Sequence, residues 1–573
     1  MKKWTKMLLT LGLVTTSTIC FPLVAASCTK KTDSNSNNQN IDNNPTKNND
    51  NKPNDKKPES LKNEDSSVNN ENQNVQDNKE KELYELFNFE RNSSNNWKIT
   101  NYNGKQIDVV IPSYFKGTKV EEIDENASFE NCKIKFDNGF DKITKNLTKG
   151  LRKIASVTIP ENVKSIENEA FKNFKNLKEL TLKNGIENIG EGAFEGTQIS
   201  SISIPSSIKE IEAKTFKDCW YLKKIDFSNG IERIGENAFE GTGVTSIIFP
   251  NSLKYVYANA FYYCDNLKEL TLNDGLNSIG EGAFEGTGVT SIIFPNSLKN
   301  VYANAFYYCN NLKELTLNDG LDSIGSQAFL GTKISSVTIP SSVTQLSSKD
   351  IFNKDCEITL RNGFEKINRN ITGVLQYQKS ITIPASVKEI EEGAFKDFKE
   401  LKEVKLNEGL KSIGNNAFLG TSISSVVLPK NIVSFGRAMF NSDCNIILDS
   451  NITYISRDIA KAFENSKKVI IPNFVKEIEE GAFEDFKNLK EVVLNEGIER
   501  IGKNAFKNRN LEVVTIPNSV KEIGTNAFLA GFKYYDWNPF FPSLKEVYYK
   551  GNKNNTPWNW NDIGIDIKIV KEI

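Results

Sequence analysis

Nine prolines, each following a short apolar run, stand at Pro160, Pro205, Pro250, Pro295, Pro340, Pro384, Pro429, Pro472 and Pro517, 43 to 45 residues apart. A period of that length, kept over most of a 573-residue chain, is the mark of a stacked repeat rather than of independent globules. Each period divides into halves of roughly 22 and 23 residues, and an Ala-Phe pair recurs in both halves. It appears at Ala170-Phe171, Ala193-Phe194, Ala238-Phe239 and Ala260-Phe261, and continues to Ala527-Phe528. Residues 241–275 return almost unchanged at 286–320, which points to a recent internal duplication.

The spacing inside each half has a physical reading. In Leu270-Thr271-Leu272 the apolar residues alternate, as a short strand with one buried face requires. Gly275 supplies a turn, and in the other half Pro205 ends the strand by removing a donor. The small Ala lets the backbone approach, and the Phe fills the centre. Ordering about 22 residues costs about 33 kcal/mol, which demands about 1,300 Å² of apolar burial. Five or six aliphatics reach that only when neighbours cover both faces, so the coils must share one core. The expected fold is a repeat solenoid, and since Leu267-x-x-Leu270-x-Leu272 has the L-x-x-L-x-L spacing of a leucine-rich repeat, a leucine-rich-repeat stack. It has short parallel strands, with short helical or 3-10 turns on the opposite wall.

The phrases I-P-x-x-V-x-x-I-x-x-x-A-F and L-N-x-G-L-x-x-I-x-x-x-A-F resemble the BspA-like, treponemal-type leucine-rich repeats of bacterial surface proteins. The resemblance covers about residues 97–550. It implies a secreted or surface-attached protein, since members are typically so placed, and several of them are described as adhesins that bind host matrix proteins. Three coils depart from the pattern: Phe129 to Cys132 and Phe136, Phe352 to Cys356 and Leu360, and Phe440 to Cys444 and Leu448. Each lacks the loop before the next strand, and each is read as preceding a longer excursion. Bends in the solenoid and old module borders both fit these departures.

The ends of the chain read differently. Residues 1–27 begin with Lys2, Lys3 and Lys6 and continue through an apolar stretch to Ala25-Ala26-Ser27, as a secretory signal does. Cys28 follows, and the segment resembles the lipobox of bacterial lipoproteins, with Ala25 where a Leu is commonest. The resemblance implies acyl chains on Cys28 and a location on the extracellular face of the bacterial membrane. The other readings are an ordinary secretory signal and an uncleaved anchor. Residues 28–82 are Asn, Lys, Asp, Ser, Glu and Pro with almost no large apolar residue, and are expected to be a disordered tether. Folding on binding is the alternative there. The solenoid is expected over 83–530, and 531–573 as an aromatic-rich capping repeat holding Tyr534, Tyr535, Trp537, Phe540, Phe541, Tyr548, Tyr549, Trp558 and Trp560. A ring-stacking ligand site is the competing reading of that end.

Composition narrows the chemistry. There is no histidine, which removes the usual general base near neutral pH and the commonest metal ligand. Lys and Arg number 72 against 73 Asp and Glu, and they interleave, so no basic stripe for nucleic acid forms. No cofactor or metal is expected. Cys132, Cys219, Cys264, Cys309, Cys356 and Cys444 follow a repeat Phe by three or four residues, in a slot that elsewhere holds Phe174, Phe398 or Phe486. They are expected as buried free thiols.

The repeat also serves as its own control for exposed positions. Aligning Val387–Phe398 with Leu253–Cys264 sets Tyr257 against Glu391, Tyr262 against Lys396 and Tyr263 against Asp397. Tyr302, Tyr307 and Tyr308 repeat the set 45 residues on, and Trp220 and Tyr221 stand where Lys399 and Glu400 do. Trp220, Tyr257, Tyr262, Tyr263, Tyr302, Tyr307 and Tyr308 are therefore the candidate ligand-binding residues. The opposing reading is rings that only pack on one another. The expected function is a lipid-anchored surface protein that binds extracellular or host-matrix proteins. A passive coat or antigenic spacer is the second reading. A glycan-acting enzyme built on paired carboxylates is the third reading.

Overall fold

A computed structural model of the protein describes residues 67–347, 350–530 and 543–573. Residues 1–66, including the signal segment and Cys28, lie outside them, as do Tyr534, Tyr535, Trp537, Phe540 and Phe541. The unit from Asn70 to Ile573 is a parallel solenoid of coils about 22 or 23 residues long, each with three walls. The coil beginning at Ser246 illustrates all three. Ser246–Ile248 forms the first wall, Tyr255–Val256 the second, and a run of turns around Ala260-Phe261 the third.

First-wall strands bury alternate residues, as in Ser201–Ile204, where Ile202 and Ile204 face in. The register advances one coil at a time: Ser201 pairs with Lys224 and Ile204 with Phe227. On the second wall seven strands run as one ladder from Glu210–Ile211 to Gln345–Leu346. A serine two residues after the strand-ending proline locks adjacent coils. Ser252 Oγ accepts from Gly230 N (2.9 Å) and donates to Ile231 O (2.7 Å), and Ser297 repeats this on Gly275 and Leu276.

The third wall satisfies its backbone in two directions. Phe171 N donates to Ala193 O and Asn173 N to Glu195 O in the next coil, both at 2.7 Å. The intervening Lys172 N donates back to Glu169 O within its own coil. Such zigzag geometry needs left-handed residues. They form columns, one of which runs Asn173, Gly196, Asp218, Gly241, Tyr263, Gly286, Tyr308, Gly331.

The repeat phenylalanines point inward and stack. Nine rings from Phe171 to Phe352 form one spine with centroids 5.2–5.6 Å apart. Shorter spines join Phe395, Phe418 and Phe440, then Phe483, Phe506 and Phe528. Phe216 belongs to the first spine although Thr215 replaces the usual Ala; the buried hydroxyl donates to Glu212 O at 2.7 Å. All six cysteines of the solenoid are free and buried in the slot that sister coils fill with Phe.

The spines break where the three departing coils are followed by helices. These are Lys145–Thr148, Arg369–Thr372 and Arg457–Ala460, each continuing into a 3-10 turn. The excursion expected there is one coil whose third wall is helical. Thr144, Asn368 and Ser456 cap the helices by accepting from the backbone N of Leu147, Ile371 and Ile459. The second-wall ladder restarts at Lys366–Ile367 and at Tyr454–Ile455, so each of those helical coils opens a new block. Helical segments on this wall are confined to these coils among the described residues; elsewhere it is a run of hydrogen-bonded turns.

Both ends depart from the plain repeat. Ser67–Leu86 is an α-helix, so the polar tether expected to reach residue 82 is helical from Ser67. Its last turns carry Leu83 and Leu86, which pack on the core, and Tyr84, edge-on to Phe115 at 4.8 Å. That apolar contact is what orders the segment's end. The first rungs form a mixed sheet rather than parallel coils. Phe87–Arg91 pairs antiparallel with Trp97–Tyr102, which pairs parallel with Thr118–Ile123. Phe89 stacks on Phe115 at 4.0 Å and covers the open core. At the other end Glu546–Tyr549 and Val570–Glu572 extend the first wall. Tyr549 and Trp560 are buried 5.5 Å apart over it.

Candidate protein-binding face

The third wall carries the tyrosines. The alternation of Gly with Asn or Asp in its left-handed column has a steric reason. A left-handed L-residue keeps its Cβ close to the following carbonyl oxygen, and Asn and Asp tolerate this best. The other coils place Asn173, Asp218, Asp397 and Asp485 there, at φ of 58° to 65°. Tyr263 and Tyr308 hold the same position at φ 53°. A bulky aromatic in that region is an outlier, and such outliers persist only where the surroundings fix them.

The rings are placed outward despite that cost. Tyr263 is 55% and Tyr308 53% exposed. Trp220, Tyr221, Tyr257 and Tyr302 are exposed as well. Tyr262 and Tyr307 are half-buried rather than fully outward. Each lies edge-on to its neighbour, Tyr262 to Tyr263 at 4.5 Å and Tyr307 to Tyr308 at 4.3 Å. The duplicated segment thus sets one aromatic pair on each of two coils, with the coil of Phe284 between them.

The same wall bears a row of positions one residue after the repeat Phe, charged in many of the coils. Lys172 pairs with Glu195 at 3.1 Å, Lys217 with Glu240 at 2.7 Å and Lys507 with Glu484 at 3.0 Å. Between Tyr262 and Tyr307 the row holds Glu285. Burial first, then the charge of Glu281, pushes its carboxyl above the usual range. Tyr262 is raised chiefly by burial and Tyr307 chiefly by its hydrogen bond with Tyr308, with Glu285 contributing to both.

The first wall exposes residues that the repeat alignment did not single out. Ile248 is 68% and Ile293 72% exposed, on strands whose neighbours carry Thr271 and Thr316 at the same register. Their signal was present in the same alignment, as an apolar residue in an outward slot. The thiols offer no chemistry. Burial pushes Cys264 up to about 12 and Cys219 and Cys309 to about 11. Among the described residues no group of three or more His, Cys, Asp or Glu could hold a metal ion, and no helix is long and apolar enough to cross a membrane.

Fold and wall together define a leucine-rich-repeat solenoid. The chain belongs to the BspA type leucine rich repeat region family, whose model matches residues 102–223, 141–268, 232–359, 365–466 and 442–533. No curated protein matches it. Among solved structures it is similar to a leucine-rich repeat protein from Bacteroides ovatus, with 22% identity, 76% of this chain and 94% of that chain covered, and a TM-score of 0.36. A leucine rich cell surface protein from Faecalibacterium prausnitzii shares 20% identity, over 56% of this chain and 93% of that one, with a TM-score of 0.28. The pneumococcal vaccine antigen PcpA shares 15%, over 81% and 91%, with a TM-score of 0.27.

Proposed function

We propose that this protein is a bacterial cell-surface module that binds extracellular proteins through its third wall, and that acyl chains on Cys28 hold it to the membrane. One observation carries the binding role: Tyr263 and Tyr308 stand exposed in a left-handed position that other coils give to Gly, Asn or Asp. Packing alone would favour the smaller residue. Large rings on a rigid scaffold contribute contact area at low entropic cost, and two pairs on one face allow additive weak contacts. Family membership and the lipobox resemblance at Cys28 support the surface location.

The test is a binding panel of extracellular-matrix proteins against the full chain. The variant carries Tyr262→Lys, Tyr263→Asp, Tyr307→Lys and Tyr308→Asp, the residues of sister coils. Loss of binding by the folded variant is expected; unchanged binding excludes the tyrosines. Absence of any partner would favour the coat reading, to which the near-identical duplication at 241–320 also lends itself. Cys28→Ala should release the protein from the membrane fraction, and retention would refute the acyl anchor.

A further inference from the structure

Three glutamates of the third wall occupy one equivalent position, and the one at the tyrosines lacks the lysine that its two sisters pair with. At 45-residue spacing the row holds Glu195, Glu240 and Glu285. In the first two cases the residue one coil earlier is a lysine, Lys172 or Lys217, and it forms the ion pair. For Glu285 that residue is Tyr262, and one coil later stands Tyr307. Backbone hydrogen bonds hold these coils in the same register as their sisters: Gly241 N to Tyr262 O, Tyr263 N to Glu285 O and Gly286 N to Tyr307 O, each 2.9 Å. Glu285 is half-buried and has no ion pair among the described residues. Its environment contains a like charge, Glu281, and aromatic rings.

We infer that Glu285, framed by Tyr262 and Tyr307 with Tyr263 and Tyr308 beside them, is a receptor for an arginine side chain of a partner protein. The occupant follows from chemistry. A half-buried carboxylate that has lost its cation gains most from a cation supplied from outside. Aromatic faces attract cations, and the planar guanidinium stacks on rings while donating two parallel hydrogen bonds to a carboxylate. Lysine can do the first but not the second. The inference rests on the reading that this wall meets a protein, and adds which group of that protein enters.

The experiment titrates the full chain with a fluorescent acetylated tetra-arginine peptide and with the same peptide carrying citrulline for arginine. The arginine peptide should bind and the citrulline peptide should not. Glu285→Gln should weaken binding about tenfold or more, the loss of one charge-assisted contact. Tyr262→Lys restores the ion pair seen in sister coils, so it should fold at least as well and occupy the carboxylate from within, again abolishing binding. Glu195→Gln, distant on the same row, should leave binding unchanged. Equal binding of the citrulline peptide, or full binding by folded Glu285→Gln or Tyr262→Lys, would overturn the inference. If the four-tyrosine variant loses matrix-protein binding while Glu285→Gln keeps it, the arginine receptor fails and the wall's role stands. If both variants keep it, both readings fail.

Discussion

Tyr263 and Gly286 pack against each other across adjacent coils, and a methyl group added at Gly286 would stand 3.3 Å from Tyr263 Cδ1. Tyr308 and Gly331 repeat the arrangement at 3.1 Å. In other coils a shorter side chain leans over the same glycine, as Asp218 does over Gly241. The ring is thus an enlargement of an inherited Asx–Gly contact, set on a backbone suited to the smaller residue.

Replacing that ring should stabilise the fold. Tyr263→Asn removes a left-handed aromatic and should gain about 1 kcal/mol, with Tyr308→Asn adding a similar amount. Urea denaturation of the single and double variants measures it. A loss of stability would mean that ring packing on Gly286 outweighs backbone strain, and would remove the main argument that these tyrosines are kept for binding.

Gly286 on the third wall and Gly275 at the turn after the first-wall strand should not be equally replaceable. Gly286→Ala meets strain from its φ of 71° and the edge of a ring that can shift. Gly275→Ala, at φ 121°, would place its methyl 2.1 Å from the Asn251 carbonyl oxygen of the previous coil. That obstacle is backbone, fixed by the stack. Gly275→Ala should therefore cost at least about 2 kcal/mol and clearly more than Gly286→Ala. Equal thermal stability of the two variants would contradict the account of how the coils abut.

Phe261 sits between Phe239 at 5.2 Å and Phe284 at 5.3 Å and is fully buried. Phe261→Ala would leave a cavity lined by neighbours that belong to other coils and cannot collapse into it without breaking their own ladders. The expected cost is about 3–5 kcal/mol, read from denaturant unfolding. A cost below that range would show that the spine fills space without carrying the stack.

Much of this architecture was legible in the sequence because each coil repeats a buried pattern. Leu270 and Leu272 announced a half-buried strand, Ala260-Phe261 an inward bend, and the Cys264 slot a core position through its exchange with Phe398. The outward tyrosines were found by the same comparison, since Tyr263 aligns with Asp397. What does not repeat was hidden. The mixed sheet of Phe87–Ile123 has no sister to align with. The helix over Ser67–Leu86 begins in a polar stretch whose few apolar anchors come only at its end. The helical third walls rest on four-residue helices, too short for periodicity, and Thr215-Phe216 departs from the Ala-Phe pair that marks the sister coils. The lost cation beside Glu285 was visible as Tyr262 against Lys217, but its meaning needed the ion pair of Lys217 with Glu240.

The thiols should be silent in the native state. Cys264 Sγ donates to Phe239 O at 3.1 Å and lies 3.2 Å from Thr242 Oγ1, with no route for solvent. With its thiol raised to about 12, almost no thiolate exists at pH 8. Iodoacetamide should leave the six solenoid cysteines unmodified until denaturant is added, as mass spectrometry would show. Rapid native labelling of Cys264 would place that coil wall open to water.

Acid should loosen the first helical coil before the rest. Hydrogen bonds from Lys145 and then Lys172 hold the Glu169 carboxyl at about 2. Glu167 is lowered by Lys142 and by the backbone N of Lys145, which it caps at 2.9 Å. Both carboxyls therefore sit below their unfolded value near 4.5. Their contribution to stability is complete above that value and fades as pH falls below it, for Glu169 over the range from 4.5 toward 2. These groups are partly exposed and screened, so the effect is modest and shrinks in salt. The helix Lys145–Thr148 depends on both contacts, and its amides should exchange faster at pH 3 than at pH 6 once corrected for intrinsic rates. Glu169→Gln should reduce that pH dependence, because a neutral amide has no proton to gain. An unchanged dependence in this variant would show that the acid response arises elsewhere, for which Asp124 beside Lys98, also held at about 2, is a candidate.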